Sequence, residues 1–129
     1  MYKILIADDE ELIRALIAKY AKFEGYETEE ARDGMEAVRK CAEENFDIVI
    51  MDIMMPVMNG YEATKCIRLS NRPDGKTVPI IAMSANAFSD DIVQSKNAGM
   101  NDHVAKPLST EKLISTIHTY LGKGTKNDN

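Results

Sequence analysis

Short unbroken apolar runs, alternating with stretches of helical periodicity, constrain this chain more than any other feature. The runs KILIA (3–7), DIVIM (47–51), VPIIAM (78–83) and HVA (103–105) are each bounded by polar residues. Runs of this kind suit strands covered on both faces, as in a parallel sheet. ETEEA (27–31) is far more polar, as an edge strand would be. Between the runs, Leu12, Ile13, Leu16, Ile17 and Tyr20 recur at three- and four-residue spacing, as do Leu113, Ile114, Ile117, Tyr120 and Leu121. Met35/Val38/Ala42, Tyr61/Thr64/Ile67 and Ile92/Val93/Lys96 are weaker versions. Asp33 with Glu36 and Asn59 with Glu62 have capping-box spacing, and Gly25, Gly99 and Gly122 stand where helices should stop. The pattern is (βα)₅, which predicts an α/β domain built on a doubly wound parallel sheet with helices on both faces. SNRPDGKT (70–77) reads as a polar surface loop, and residues 123–129 as a flexible tail after a domain spanning 1–122.

Composition narrows the function classes. A chain of 129 residues fits one domain, and a domain of that size buries roughly two-thirds of its unfolded surface. The formal net charge of −5 disfavours direct nucleic-acid binding, which needs basic surface to replace counterions. Cys41 and Cys66 fit no metal-ligand spacing and fall inside helical patterns, so they read as reduced, space-filling thiols. No apolar run approaches the roughly 18 residues of a membrane span, and Met1 leads directly into a strand. The expectation is a cytoplasmic domain without membrane contact.

The polar residues at the strand ends carry the chemistry. Asp8 and Asp9 follow the first strand, Asp52 ends the third, Ser84 ends the fourth and Lys106 ends the fifth. Ligands of open α/β sheets bind at carboxyl ends, where strand order reverses. With the order 2-1-3-4-5, the first and third strands are neighbours, and Asp8, Asp9 and Asp52 meet in one crevice. Carboxylates so close raise each other's pKa unless a cation joins them. Oxygen ligands without His or Cys suit Mg²⁺. Asp52 is then placed as a nucleophile toward phosphorus. Lys106, the Ser84 hydroxyl and backbone N–H groups of the loops after the third and fourth strands supply donors for the transferring oxygens.

Taken singly, each residue has a plainer reading. The Asp-Asp-Glu-Glu run at 8–11 complements a helix N-terminus, and Asp52 serves as a cap. Ser84 and Lys106 are ordinary loop residues by the same measure. Only the set is specific. His103, with no second His nearby, reads as a half-buried strand residue. Met51, Met54, Met55 and Met58 read as core and loop packing.

At these residues the sequence resembles a response-regulator receiver domain, the flavodoxin-like fold of two-component signalling. ILIADDE, DIVIMDIMMPVMNGYE, PIIAMSANA and GMNDHVAKP carry the resemblance, which covers roughly residues 2 to 121. It implies that Asp52 accepts a phosphoryl group from a histidine kinase or His-phosphotransfer domain. It also implies that Asp9, Asp52 and the Met54 carbonyl hold Mg²⁺, with Asp8 acting through water. Lys106 would bind phosphoryl oxygens, Ser84 would move to bond to them, and the Lys106–Pro107 bond would be cis. Ser84 stands where Thr is equally common. His103 stands where many receivers carry Tyr or Phe, so the coupled Ser84–His103 switch departs from the simplest pattern. SANAF and GMNDHVAKP look most like receivers fused to hybrid sensor kinases, while a stand-alone regulator fits as well. The implied assembly is a monomer or weak dimer.

Three rivals differ in class. An aspartate-nucleophile phosphatase of the haloacid dehalogenase type carries a second aspartate two residues on, where this chain has Met54. A flavodoxin-like FMN carrier needs a Ser/Thr/Gly-rich loop after the first strand, where this chain has four acids. A binding-only receiver usually lacks one of the acids or the lysine, and here all are present. The expected activity is self-catalysed phosphoryl transfer and hydrolysis, without turnover of an external substrate.

Overall fold

The computed structural model describes residues 1–85 and 89–121. Strands β1 (Lys3–Ala7), β2 (Glu27–Ala31), β3 (Ile48–Asp52), β4 (Ile80–Ser84) and β5 (Asp102–Ala105) form one sheet in the order β2-β1-β3-β4-β5, all pairs parallel. Helices α1 (Glu11–Phe23), α2 (Gly34–Glu43), α3 (Gly60–Leu69), α4 (Pro73–Thr77), α5 (Ser89–Ala98) and α6 (Thr110–Leu121) connect and cover it.

Side chains alternate across a strand, so each central strand feeds two cores. Ile4, Ile6, Ile48, Ile50, Ile81, Met83 and Val104 pack with α1 and α6 through Ile17, Ala21, Leu113 and Ile117. Leu5, Ala7, Val49, Met51, Ile80 and Ala82 pack on the other side with Ala37 of α2 and Ala63 and Ile67 of α3. That two-sided burial is why the runs are continuously apolar rather than alternating. β2 lies at an edge, and its acids meet cations: Glu30 pairs with Arg14 at 2.9 Å, and Glu29 with Lys40 at 3.4 Å and Lys3 at 3.6 Å. Charged side chains on an edge strand also discourage pairing with another chain.

The caps sit where the spacing places them, with one variation. Asn59 and Glu62 complete a reciprocal capping box at the start of α3. At α2, Asp33 accepts from the Glu36 N–H at 2.8 Å, but the Glu36 carboxylate reaches past it to the Arg32 N–H. Gly25 and Gly99 follow α1 and α5 with φ of +93° and +107°, the left-handed region that favours glycine. Gly122 and the tail lie outside the described residues.

Several readings are corrected. The 70–77 stretch is not all loop: residues 73–77 form α4, with Pro73 in its first turn, and the Arg68 guanidinium bonds to the Gly75 carbonyl at 3.1 Å. β3 and β4 end on Asp52 and Ser84 as read, whereas β5 ends at Ala105, so Lys106 follows the strand rather than ending it. On α1 the helical periodicity is real, but only part of it faces the core. Ile17, Ala18 and Ala21 are buried, whereas Leu12, Leu16, Tyr20 and Phe23 form a solvent-facing stripe, with Leu12 at 84% exposure. Cys41 and Cys66 are free thiols, but Cys66 is exposed on α3 and fills no space. Burial pushes the Cys41 thiol up to about 12, so it stays protonated and inert. Of the four methionines, Met51 is buried, Met55 and Met58 pack against the core, and Met54 stands 73% exposed.

Candidate functional site

The register assembles the site. Ala7 pairs with Met51, which sets the next residues, Asp8 and Asp52, side by side on neighbouring strands. Asp52 in turn pairs with Met83, and Ser84 with Ala105, so Ser84 and Lys106 arrive at the same rim. The Lys106 N–H donates to the Ser84 carbonyl at 2.8 Å, which prolongs the β4–β5 ladder by one bond. The Lys106–Pro107 peptide bond is cis.

The loop from β3 to α3 folds tightly back on the site. The Gly60 N–H donates to the Ile53 carbonyl at 2.9 Å, closing the loop. A Cβ on Gly60 would lie 2.4 Å from the Asp52 carbonyl oxygen, so only glycine permits this approach. Within the loop, Val57 is held at φ +68°, a conformation costing a β-branched residue about 1–2 kcal/mol.

Asp8, Asp9 and Asp52 each turn a carboxylate oxygen into one cluster, these atoms all lying within 4.8 Å of one another. Asp8 and Asp52 are buried and Asp9 is exposed, so the cluster opens to solvent on one side. The Lys106 ammonium stands between the two buried acids, 3.0 Å from Asp8 Oδ2 and 3.2 Å from Asp52 Oδ2. Glu10 approaches the same ammonium at 4.0 Å, a residue whose sequence context carries no sign of this role. Asp8 also accepts from the Glu10 N–H at 2.8 Å, tying the acidic turn to the start of α1.

The charges are not balanced. Burial, then the neighbouring Asp8 carboxylate, pushes the Asp52 carboxyl up to about 6, although Lys106 and a backbone hydrogen bond from Met54 pull the other way. Burial lowers the Lys106 pKa, but its interactions with Asp8 and Asp52 outweigh that and leave the ammonium above the usual lysine value. One fixed cation among three acids leaves an oxygen-rich, electron-rich crevice. That donor set, without nitrogen or sulfur, fits a hard divalent ion such as Mg²⁺.

Ser84 and His103 share the sheet face covered by α5, since Met83 and Val104 point into the opposite core. The Ser84 hydroxyl donates to Asp91 Oδ2 at 3.0 Å, a pairing that sequence reasoning missed. Its only signal was an acid in the first turn of the following helix. His103 is half-buried beside Ile92, Lys96 and Asp102, in a cavity of about 240 Å³. Of the loop after β4, expected to supply backbone donors, residues 86–88 lie outside the described residues.

A sheet of this order, with acids on its two central neighbours and a lysine after its last strand, defines a CheY-like domain. The response regulator receiver domain family matches residues 4–118, and the chain belongs to that family. It is 35% identical over 124 residues to the transcriptional regulatory protein ResD of Bacillus subtilis, covering 96% of this chain and 50% of ResD. It is 34% identical to the CAI-1 autoinducer sensor kinase/phosphatase CqsS of Vibrio cholerae, covering 92% of this chain and 17% of CqsS. It is 33% identical to the polar-differentiation response regulator DivK of Brucella ovis, covering 92% of this chain and 95% of DivK. The chain thus spans half of one relative, a small part of another and nearly all of a third. Among solved structures, the chemotaxis protein CheY4 of Vibrio cholerae superposes with a TM-score of 0.88 at 33% identity, covering 94% of this chain and 99% of CheY4. The receiver domain of a sensor histidine kinase from Pseudomonas aeruginosa PAO1, whose structure has a magnesium ion coordinated in the active-site cleft, superposes at 0.85 with 35% identity, covering 94% and 98%. The chain is therefore a receiver domain with a phosphoacceptor role in two-component signalling. Among the described residues no helix is long and apolar enough to cross a membrane.

Proposed function

We propose that Asp52 is the phosphoacceptor, taking a phosphoryl group from the phosphohistidine of a histidine kinase or His-phosphotransfer domain. The observation that carries this reading is the Lys106 ammonium set 3.0 and 3.2 Å from two buried carboxylates at the mouth of the crevice. An Asp52 oxygen attacks phosphorus, the P–N bond breaks, and the imidazole leaves with the electron pair. Asp8, Asp9, Asp52 and the Met54 carbonyl are the residues that would hold Mg²⁺. When bound, that ion screens the acids from the incoming phosphoryl charge. Lys106 meets the developing negative charge on the transferring oxygens, and the Ser84 hydroxyl bonds to one of them. Hydrolysis of the acyl phosphate by water at the same site resets the domain. Phosphorylation then acts as a population shift, in which breaking the Ser84–Asp91 bond is felt by α5 and, across the same face, by His103.

The protein donor is read from the rim. Leu12 and Leu16 are exposed in the first half of α1, the helix that follows Asp9 in the chain, an apolar strip suited to a helix that carries a phosphohistidine. This role belongs to the cytoplasm, where kinase and receiver meet, and the chain's net charge of −5 argues against direct contact with nucleic acid. Residues 1–122 would act as the receiver, as a monomer or weak dimer, in a stand-alone regulator or a hybrid kinase.

Phosphoramidate, a small donor with a P–N bond, tests the assignment of roles. In the presence of Mg²⁺ the wild type is expected to acquire one hydroxylamine-labile phosphoryl group. Lys106→Ala is expected to retain Mg²⁺ affinity within a few-fold while the labelling rate falls by at least tenfold. Unchanged labelling of Lys106→Ala would remove the lysine from the reaction.

A further inference from the structure

Ser84 has one hydroxyl hydrogen, and a carboxylate can only accept, so the 3.0 Å bond commits that hydrogen to Asp91. A phosphoryl group on Asp52 needs the same hydrogen. The two acceptors therefore compete. Building on Asp52 as acceptor, we propose that Asp91 is a positioning residue that holds the Ser84 hydroxyl away from the phosphoryl pocket and so sets the threshold for phosphorylation.

Three features make Asp91 suited to this. It lies in the first turn of α5 beside Asp90, where acidic residues complement the helix dipole. Its bond to Ser84 is charge-assisted, and Ser84 itself is only 5% exposed, so water competes poorly for the hydroxyl. Both residues line a cavity of about 350 Å³, together with Ile53, Met54, Tyr61 and Gln94. Ser84 can rotate within that space without displacing packed core. Asp91 is not stranded when Ser84 leaves. Its carboxylate shares the lining of that cavity with Tyr61, whose pKa is raised first by burial and then by this neighbour.

The two states differ in which acceptor Ser84 serves. In one, β4 is tied to the first turn of α5. In the other, Ser84 serves the phosphoryl group and that turn is released. Asp91 thus trades affinity at the acceptor site for a conformational consequence on α5. A bond present in only one of the two states is what gives the phosphoryl group leverage over their populations.

The test is a double-mutant cycle read by ¹⁹F NMR titration of beryllium fluoride, a phosphoryl mimic, into the full chain with saturating Mg²⁺. Asp91→Ala is expected to tighten beryllium fluoride binding about tenfold, the usual size of one charge-assisted bond removed from competition. Asp91→Asn, which keeps a neutral acceptor, is expected to fall between, at about threefold. In a Ser84→Ala background, Asp91→Ala is expected to change affinity by less than about twofold, because the competition no longer exists. Unchanged or weakened affinity in Asp91→Ala, or an equal gain in both backgrounds, would overturn the proposal while leaving the acceptor site intact. A wild type that binds no beryllium fluoride would defeat the acceptor reading itself, and the Asp91 proposal with it.

Discussion

Asp52 shows how a single residue is tuned by what surrounds it. Burial and Asp8 raise its pKa to about 6 from an ordinary 3.8, so the folded chain holds a proton that the unfolded chain has already released between those pH values. Stability therefore falls as pH rises through that window, the opposite of the usual paired carboxylate. Asp52→Asn removes the cost without removing the Asp8–Lys106 ion pair at 3.0 Å. In EDTA at pH 7.5, this variant is expected to melt about 3–5 °C above the wild type, or about 1 kcal/mol. At pH 4 the gap is expected to close. An equal gap at both pH values would place the cost elsewhere. The same raised pKa weakens Asp52 as a nucleophile in acid, so labelling is expected to fall as pH drops below about 6.

At the scale of elements, the site depends on a loop that the sequence shows only in part. The apolar run into Asp52, the capping box at Asn59 and the glycine at 60 are all visible in sequence, because each is a local device. What is not visible is that Gly60 sits over the Asp52 carbonyl, which follows only once β3 and α3 are packed. Gly60→Ala forces a Cβ to within 2.4 Å of that oxygen. The expected cost is about 3 kcal/mol in denaturant unfolding, together with loss of phosphoryl labelling. A cost below about 1 kcal/mol would mean that the loop has room to open. The one-turn helix α4 was hidden for a similar reason. Pro-Asp-Gly reads as a turn, and what makes it helical is tertiary: the Arg68 guanidinium bonds to Gly75 on one side and to Gly99 and Asn101 on the other.

The whole molecule is legible where burial dictates residue type and obscure where partners do. Two-sided burial wrote the central strands as continuous apolar runs, and the (βα)₅ alternation made the sheet parallel, while its order went with the flavodoxin-like resemblance. The helices were harder to orient. On α1, Leu12, Leu16, Tyr20 and Phe23 have the same spacing as a core face, yet they point to solvent. Periodicity marks an apolar face but does not say whether the sheet or another protein covers it. Leu12→Glu tests the second reading. Transfer from a phosphorylated His-phosphotransfer protein is expected to drop at least tenfold, while labelling by acetyl phosphate, which needs no docking, is expected to stay within twofold. Equal losses from both donors would point to damage at the acidic cluster instead. The Ser84–Asp91 bond was missed for a related reason, since a helix-start acid has a sufficient local explanation and its partner is known only from the fold.

The central claim is that Asp52, in its crevice of acids and lysine, carries the phosphoryl group. Intact-protein mass spectrometry after incubation with acetyl phosphate, with and without Mg²⁺, tests it most directly on wild type and Asp52→Asn. The account predicts a gain of one phosphoryl group, about 80 Da, that requires Mg²⁺ and is absent from the variant. A stoichiometric gain that survives in Asp52→Asn would contradict it.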